Sequence, residues 1–210
     1  MKKLFLTSSA NFVISDIVSK IGFDTHGKKL VFIKTAAEDL GEINPEWLEE
    51  DRQGLEKFGF EVTDYTISNK TEEQLRKDLA QYDVIFVSGG NTYYLLQESQ
   101  KTNFIPIIQD LVKEGKVYIG SSAGSVITGP DIASTLDLDD VGNAPDLNDM
   151  KGFNLVDFVV LPHWGSSLWK NVYMKMDYSA LYEMNIKLIF LRDTQYVEVS
   201  DNEYKIVDTI

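Results

Sequence analysis

Val117-Tyr118-Ile119-Gly120-Ser121-Ser122-Ala123-Gly124 is the stretch of this sequence that says most about its fold. An apolar run that stops at a glycine predicts a buried strand, and the small residues after it predict a sharp turn into a helix. In such a turn the central serine projects from the sheet, and the N–H groups of the helix face a developing negative charge. The same pattern also fits a plain turn whose serine caps the helix, so the motif by itself leaves both interpretations open.

Apolar runs of similar length alternate with helical stretches through the first two thirds of the chain. Predicted strands lie at 4–6, 30–33, 61–67, 84–87 and 117–119, and predicted helices lie at 11–21, 44–58, 71–81, 92–99 and 105–114. Uninterrupted apolar strands separated by helices are typical of a parallel sheet that is covered on both faces. We therefore expect an α/β fold with a mostly parallel sheet flanked by helices on both faces.

The last third of the chain has a different pattern. An acidic, loop-like segment at 130–152 precedes a predicted strand, helix and strand at 158–161, 168–184 and 188–191. Two short runs, 196–199 and 204–207, flank Asp201-Asn202 and predict a C-terminal hairpin at the edge of the sheet. No repeat and no linker rich in proline, glycine or serine interrupts the sequence, so we expect residues 1–210 to form a single α/β domain.

The composition narrows the class of protein. Of the 210 residues, 43% are apolar and 25% are charged, and the formal net charge of −13 repels nucleic acid and anionic membranes. The absence of cysteine excludes disulfides, thiolate metal sites and a cysteine nucleophile. The N-terminal apolar run is too short for a signal peptide, and no run reaches the length of a membrane span. We expect a cytoplasmic protein that binds neither nucleic acid nor membranes.

Chemically useful side chains follow several of the predicted strands, at the edge where open α/β sheets bind ligands. Ser122 is the candidate nucleophile, and His163, after strand 158–161, is the candidate base that takes its proton. Asp193, after the next strand, is the natural third group to orient the imidazole. A packed histidine and a surface aspartate are the plain alternatives. Asp131, Asp157 and the acidic segment compete with Asp193 for the third role.

A glycine turn follows strand 84–87. The N–H of Ala123 and that of Gly89 or Gly90 are candidate donors to an oxyanion, because glycine permits unusual backbone angles and a close approach of substrate. A phosphate-binding loop is the alternative, but the turn lacks the Walker lysine and the spacing of a dinucleotide site. Asn91, Thr92 and Trp164 are candidates for substrate contact. We expect no metal and no cofactor, because the acidic segment lacks EF-hand spacing and there is no H-E-x-x-H motif.

Three motifs in this order resemble the peptidase E family: Ser88-Gly89-Gly90-Asn91-Thr92, the Gly120–Gly124 turn, and Leu161-Pro162-His163. The similarity extends from residue 1 to about residue 200. The family consists of cytoplasmic serine peptidases, with aspartyl dipeptidase as type member and cyanophycinase as a larger relative. Their fold is like the class I glutamine amidotransferase domain. The resemblance implies Ser122 as nucleophile, His163 as base, backbone donors from Gly89 or Gly90 and Ala123, and a homodimer.

The sequence departs from the type enzyme at two places. That enzyme has a glutamate as third group within Leu-Pro-Glu-Gly, where this chain has Leu191-Arg192-Asp193-Thr194. It also carries an arginine after the histidine that binds the substrate's aspartate, and residues 165–171 of this chain contain none. Lys170 or Lys175 could supply a point charge, but lysine does not reproduce a bidentate clamp.

These observations together predict a serine peptidase that hydrolyses short peptides in the manner of a dipeptidase. An esterase or amidase acting on a small acyl substrate would use the same groups and stays open as an alternative. A non-catalytic, amidotransferase-like binding module is the alternative from another class.

Overall fold

The computed structural model describes residues 1–41, 45–135 and 138–210. The strands are β1 (Lys3–Thr7), β2 (Lys29–Ile33), β3 (Glu61–Tyr65), β4 (Val84–Val87), β5 (Val117–Ser121), β6 (Phe158–Leu161), β7 (Lys187–Phe190), β8 (Gln195–Ser200) and β9 (Glu203–Asp208). The helices are α1 (Ala10–Lys20), α2 (Glu46–Lys57), α3 (Glu72–Leu79), α4 (Thr92–Lys101), α5 (Phe104–Lys113), α6 (Ala123–Val126), α7 (Lys170–Tyr173) and α8 (Tyr178–Glu183). Among these residues no helix is long and apolar enough to cross a membrane.

Seven of the strands form one sheet, in the order β3-β2-β4-β5-β1-β8-β9. The pairs from β3 to β1 are parallel, and β8 and β9 add an antiparallel hairpin at one edge. This arrangement confirms the predicted fold class, including the C-terminal hairpin. All four residues of β4 are buried, as expected for a strand near the middle of a covered sheet.

The two faces of the sheet pack into two separate apolar cores. Alternate residues of one strand enter different cores: Phe86 packs with helices α1 and α2, whereas Ile85 and Val87 pack with α3 to α6. On the first face the rings of Phe32 and Phe86 stack with their centroids 4.7 Å apart. The sheet is therefore covered by helices on both faces, and in such folds ligands bind at the carboxyl ends of the strands.

Strands β6 and β7 do not join this sheet. They pair in parallel with each other and form a separate two-stranded sheet, with Phe158 opposite Lys187. The expectation that they end at the same sheet edge as β4 and β5 is wrong in its topology. Apolar runs indicate that strands are buried but do not say which strand is the partner.

The helix predicted at 168–184 is two short helices, α7 and α8. Asp177 separates the two helices, because its carboxylate accepts the Ser179 N–H at 3.0 Å, as a cap does at a helix start. Likewise the third strand ends at Tyr65 rather than Ile67, because the Thr66 hydroxyl accepts the Ser68 N–H in a local turn. Asn44, at the predicted start of helix 44–58, lies outside the described residues, as does Asp137 of the acidic segment.

Candidate active site

Ser122 lies between β5 and α6. Its backbone has a φ of 48° and a ψ of −111°, a conformation that residues other than glycine rarely adopt. Glycine is required on either side of this turn, because any side chain there would clash with the backbone. A Cβ on Gly120 would lie 2.5 Å from the Gly124 carbonyl oxygen, and one on Gly124 would lie 2.1 Å from the Val87 carbonyl oxygen. The Gly-x-Ser-x-Gly pattern therefore exists because this turn passes directly over β4, and such strain at a non-glycine residue is typical of functional sites.

His163 comes directly after the second, two-stranded sheet and meets the serine. Its Nε2 atom lies 2.9 Å from Ser122 Oγ, and its Nδ1 atom lies 2.7 Å from Asp193 Oδ1. A carboxylate on Nδ1 fixes the tautomer that leaves Nε2 free to accept the serine proton. The imidazole also stacks on Trp169 at a centroid distance of 5.2 Å, a contact that no sequence pattern predicted. The structure therefore brings the three predicted catalytic side chains into one hydrogen-bonded chain.

Asp193 remains ionised in this setting. Burial opposes its negative charge, but the hydrogen bonds from His163 and Ser8 outweigh burial and hold its pKa below the usual range. The competing carboxylates are engaged elsewhere: Asp157 pairs with Lys187 at 2.5 Å, and Asp131 accepts the Ala133 N–H at 2.7 Å.

Ser8 is a member of the site that sequence reasoning missed. Its hydroxyl donates to Asp193 Oδ1 at 2.7 Å and accepts the backbone N–H of His163 at 2.7 Å, and its side chain is fully buried. His163 has a φ of 63°, so this N–H anchors a strained residue. The signal was available, because Ser8 directly follows β1 just as Ser122 follows β5, and the two strands are neighbours.

The glycine turn after β4 stands beside the serine. A Cβ on Gly89 would lie 3.3 Å from Ser122 Cβ, and one on Gly90 would lie 2.0 Å from the Ala36 carbonyl oxygen. Gly90 has a φ of 131°, which only glycine adopts readily. Within the described ranges, neither the Gly90 N–H nor the Ala123 N–H donates to a protein acceptor. Both N–H groups are thus available to a ligand next to the serine.

The three predicted substrate contacts have different surroundings. Asn91 caps α4 by accepting the N–H groups of Tyr93 and Tyr94, and its amide donates to the Asp140 carbonyl oxygen. Trp164 is 40% exposed and packs edge-on against Tyr173 and Phe190.

Of the three, Thr92 lines the cavity beside Ser122. This cavity is small, about 10 Å³, and is lined by Thr92, Ser122, Ala123, Val126, Leu138, Asp139, Pro162, His163 and Trp169. Ser122 and His163 follow strands of the two different sheets, and Leu138 and Asp139 belong to the acidic segment, so the segment at 130–152 contributes directly to the cavity.

A buried carboxylate, Asp51, is hydrogen-bonded to the turn that holds Ser122. Asp51 of α2 is 4% exposed, accepts the Asn11 N–H at 2.8 Å and is hydrogen-bonded to the Ser121 hydroxyl. Burial raises the pKa of Asp51 to about 6. Ser121 in turn accepts the Ala10 N–H at 3.2 Å, so this network ties α1 and α2 to the residue before the nucleophile. Among the described residues no three His, Cys, Asp or Glu side chains are grouped so as to hold a metal ion.

The chain is similar to known peptidases along most of its length. A model described as peptidase family S51 matches residues 4–207. An uncharacterised peptidase of Listeria innocua is 34% identical over 203 residues, which cover 94% of this chain and 96% of that protein. Peptidase E of Shewanella denitrificans is 34% identical over 139 residues, which cover 66% of this chain and 55% of that protein.

Solved structures show the same similarity. A crystal structure from Listeria monocytogenes, described as a candidate peptidase E, superimposes with a TM-score of 0.89 at 30% identity and covers 100% of both chains. A peptidase from an acI-B1 actinobacterium has a TM-score of 0.69 at 18% identity, covers 99% of this chain and 88% of its own, and shares the fold.

Proposed function

The chain belongs to peptidase family S51 and is a serine peptidase, and from this premise we propose that it hydrolyses short peptides with Ser122, His163 and Asp193 as its catalytic groups. The observation that carries the proposal is the unbroken chain of two hydrogen bonds, 2.9 Å from serine to imidazole and 2.7 Å from imidazole to carboxylate. Both distances lie within the reach that proton transfer requires.

In the first step His163 Nε2 takes the proton of the Ser122 hydroxyl while Oγ attacks the scissile carbonyl carbon. The carbonyl oxygen becomes an oxyanion, which the N–H groups of Ala123 and of Gly90 or Gly89 would hold. Asp193 accepts the Nδ1–H and stabilises the imidazolium that forms. Each such oxyanion donor is typically worth about 3–4 kcal/mol in the transition state.

In the second step the imidazolium gives its proton to the leaving amine, and the C–N bond breaks to leave an ester on Ser122. A water molecule then gives a proton to His163 Nε2 and attacks the ester carbonyl through a second oxyanion. Collapse of this intermediate returns the proton to Ser122 Oγ and releases the acid. Ser8 takes part in both steps as a positioning residue, because it holds the backbone of His163 and the carboxylate of Asp193 together.

A substrate panel tests the proposal. Purified wild-type protein and Ser122→Ala are compared on dipeptides, on peptides of three to eight residues and on small uncharged esters. We expect hydrolysis of the short peptides by the wild type and none by Ser122→Ala. Hydrolysis of the esters without any peptide cleavage would contradict the proposal and assign the same groups to an esterase.

We also propose that residues 1–210 act as a single domain and as a homodimer in the cytoplasm. Large apolar side chains exposed on one segment support an association surface, because Leu168, Met174 and Tyr182 are 86%, 72% and 90% exposed. Sedimentation equilibrium gives the molar mass directly. A monomer at micromolar concentration would contradict the dimer.

A further inference from the structure

Trp47, in the first turn of α2, lies beside the nucleophile at the glycine turn that follows β4. A Cβ on Gly89 would lie 3.4 Å from Cζ3 of Trp47 and 3.3 Å from Cβ of Ser122. The six-membered ring of the indole and the nucleophilic residue are therefore neighbours across Gly89. Because the Gly89–Gly90 turn is also a candidate source of an oxyanion donor, the indole lies next to the place where the substrate carbonyl would sit.

The indole of Trp47 is left partly uncovered. Its residue is 38% exposed. The other two tryptophans, Trp164 and Trp169, pack against other rings, whereas Trp47 has no ring partner among the residues that the structure describes. Single exposed apolar side chains are common on protein surfaces, so it is the position beside Ser122, rather than the exposure, that gives this residue significance.

The enclosed space on the other side of the nucleophile is too small for a substrate side chain. The cavity that Thr92, Ser122 and His163 help to line has a volume of about 10 Å³, which is the room needed by one water molecule. Neither Gly89 nor Trp47 lines it. A substrate side chain of any size must therefore lie outside this cavity, and Trp47 offers an apolar surface there beside the reacting atoms.

We propose that Trp47 is a specificity-determining residue, whose indole packs against an aromatic or large apolar side chain of a substrate residue next to the scissile bond. The proposal rests on the function proposed above and adds the class of side chain that the peptide carries. A flat indole buries a large apolar area against another ring and adds an edge-to-face or offset-stacked contact, which a methyl side chain does not reproduce. Peptides with phenylalanine beside the scissile bond should therefore be better substrates than peptides with alanine there.

The plain alternative is that Trp47 only covers Gly89 and keeps the glycine turn in place. In that case its removal would slow the hydrolysis of all peptides alike. The test compares wild type, Trp47→Ala, the conservative variant Trp47→Phe and the control Ile206→Ala. Ile206 is a 52% exposed apolar side chain on β9, the outermost strand of the large sheet. The substrates are Ala-Ala, Phe-Ala and Ala-Phe, each set in the peptide length that the wild type hydrolyses fastest.

We expect the wild type and Ile206→Ala to hydrolyse Phe-Ala or Ala-Phe with a kcat/KM about tenfold or more above that for Ala-Ala. The peptide that gains shows on which side of the scissile bond Trp47 acts. Trp47→Phe should keep most of this preference, and Trp47→Ala should lose most of it while its kcat/KM for Ala-Ala changes little. The same preference in Trp47→Ala as in the wild type overturns the proposal, and so does a wild type that favours neither phenylalanine peptide.

Labelling of Ser122 by a fluorophosphonate gives a second measurement that needs no variant. Phenylalaninamide and alaninamide carry the same charge and differ only in the side chain, and we expect phenylalaninamide to slow the labelling of wild-type Ser122 much more. Equal protection by the two amides would overturn the proposal even if Trp47→Ala does not fold. A wild-type Ser122 that is not labelled at all would contradict the proposed function rather than the role of Trp47.

Discussion

The two halves of the candidate site are built on different parts of the fold. The nucleophile half, Gly89–Gly90 and Gly120–Gly124, lies at the ends of β4 and β5 of the seven-stranded sheet, and all residues of these two strands are buried. The base half, His163, Trp169 and Asp193, lies on the two-stranded sheet, whose own apolar cluster contains Leu161, Tyr173 and Met176. The geometry of the proposed triad therefore depends on how the small sheet packs against the large one.

Ser8 is the link between the two halves. It extends from β1 of the large sheet, and its hydroxyl bonds both His163 and Asp193 of the small one. Along with the bond between Ser122 and His163, it sets the distance between the base and the nucleophile. Substitutions can disturb the nucleophile half, the base half, Ser8 and the buried Asp51 separately.

Removal of the nucleophile has the largest expected effect. Ser122→Ala should lower kcat/KM by at least about 10⁴-fold, because neither the imidazole nor the oxyanion donors can replace the attacking oxygen. Steady-state kinetics on a cleaved dipeptide measures the loss. Residual activity above one part in a hundred would contradict the role of Ser122.

Within the base half, Asp193→Asn should lower kcat/KM by about 10³- to 10⁴-fold, because an amide does not hold the correct tautomer of His163 or stabilise its positive charge. Asp157→Asn is the matched control, since Asp157 is an exposed carboxylate beside the same small sheet. Equal losses in the two variants would show that the third group has been misassigned.

The Asp193 carboxylate also contributes to stability with a definite pH dependence. Its pKa in the folded protein lies below its usual value, so its contribution is fully present above that usual value and is lost as the pH falls through the folded pKa. Asp193→Asn should remove this acid dependence, which urea unfolding at a series of acidic pH values measures.

The link between the halves is broken by Ser8→Ala. We expect kcat/KM to fall by about 10- to 100-fold, since the loss of one hydrogen bond to a charged group shifts the base without removing it. Ser9→Ala is the control, because the Ser9 hydroxyl donates to Asn11 outside the site. Should the acid limb of the pH profile of kcat/KM stay unchanged in Ser8→Ala, Ser8 would act only in folding.

Much of the nucleophile half could be predicted from the sequence, because glycine, serine and apolar residues there obey local rules. The residue types at Gly120, Ser122 and Gly124 follow from the geometry of a turn only a few residues long. The sequence also predicted that His163 and Asp193 follow strands. It could not predict that these strands form a separate sheet, since the pairing of β6 with β7 depends on contacts between distant residues. The position of Ser8 after β1 marks it as a candidate, but its bond to His163, 155 positions away, depends on the tertiary fold. The bond between Asp51 and Ser121 likewise joins distant parts of the chain.

The buried Asp51 carboxyl, which is hydrogen-bonded to the residue before Ser122, should make the free energy of unfolding depend on pH. The pKa of Asp51 is raised from 3.8 to about 6, so the folded state binds more protons than the unfolded state between these values. Its contribution should fall as pH rises through this window, by up to about 3 kcal/mol. Urea unfolding of wild type, Asp51→Asn and the exposed control Glu46→Gln at pH 4 and pH 7 measures it. The same pH difference in wild type and Asp51→Asn would contradict this role.

The smallest expected effect concerns the strain at Ser122. Ser122→Gly and Ser122→Ala both remove the hydroxyl, but only glycine adopts a φ of 48° without cost. Ser122→Gly should therefore be more stable than Ser122→Ala by about 1 kcal/mol. Thermal or urea unfolding of the two variants makes the comparison, and equal stabilities would show that the turn is unstrained.

Labelling by a fluorophosphonate probe, with the modified residue located by mass spectrometry, tests most directly whether the two halves act as one catalytic unit. We predict a single adduct on Ser122 in the wild type, and a labelling rate that falls strongly in His163→Ala and in Asp193→Asn but not in Asp157→Asn. An unlabelled wild-type Ser122, or labelling that is indifferent to His163, would contradict the account.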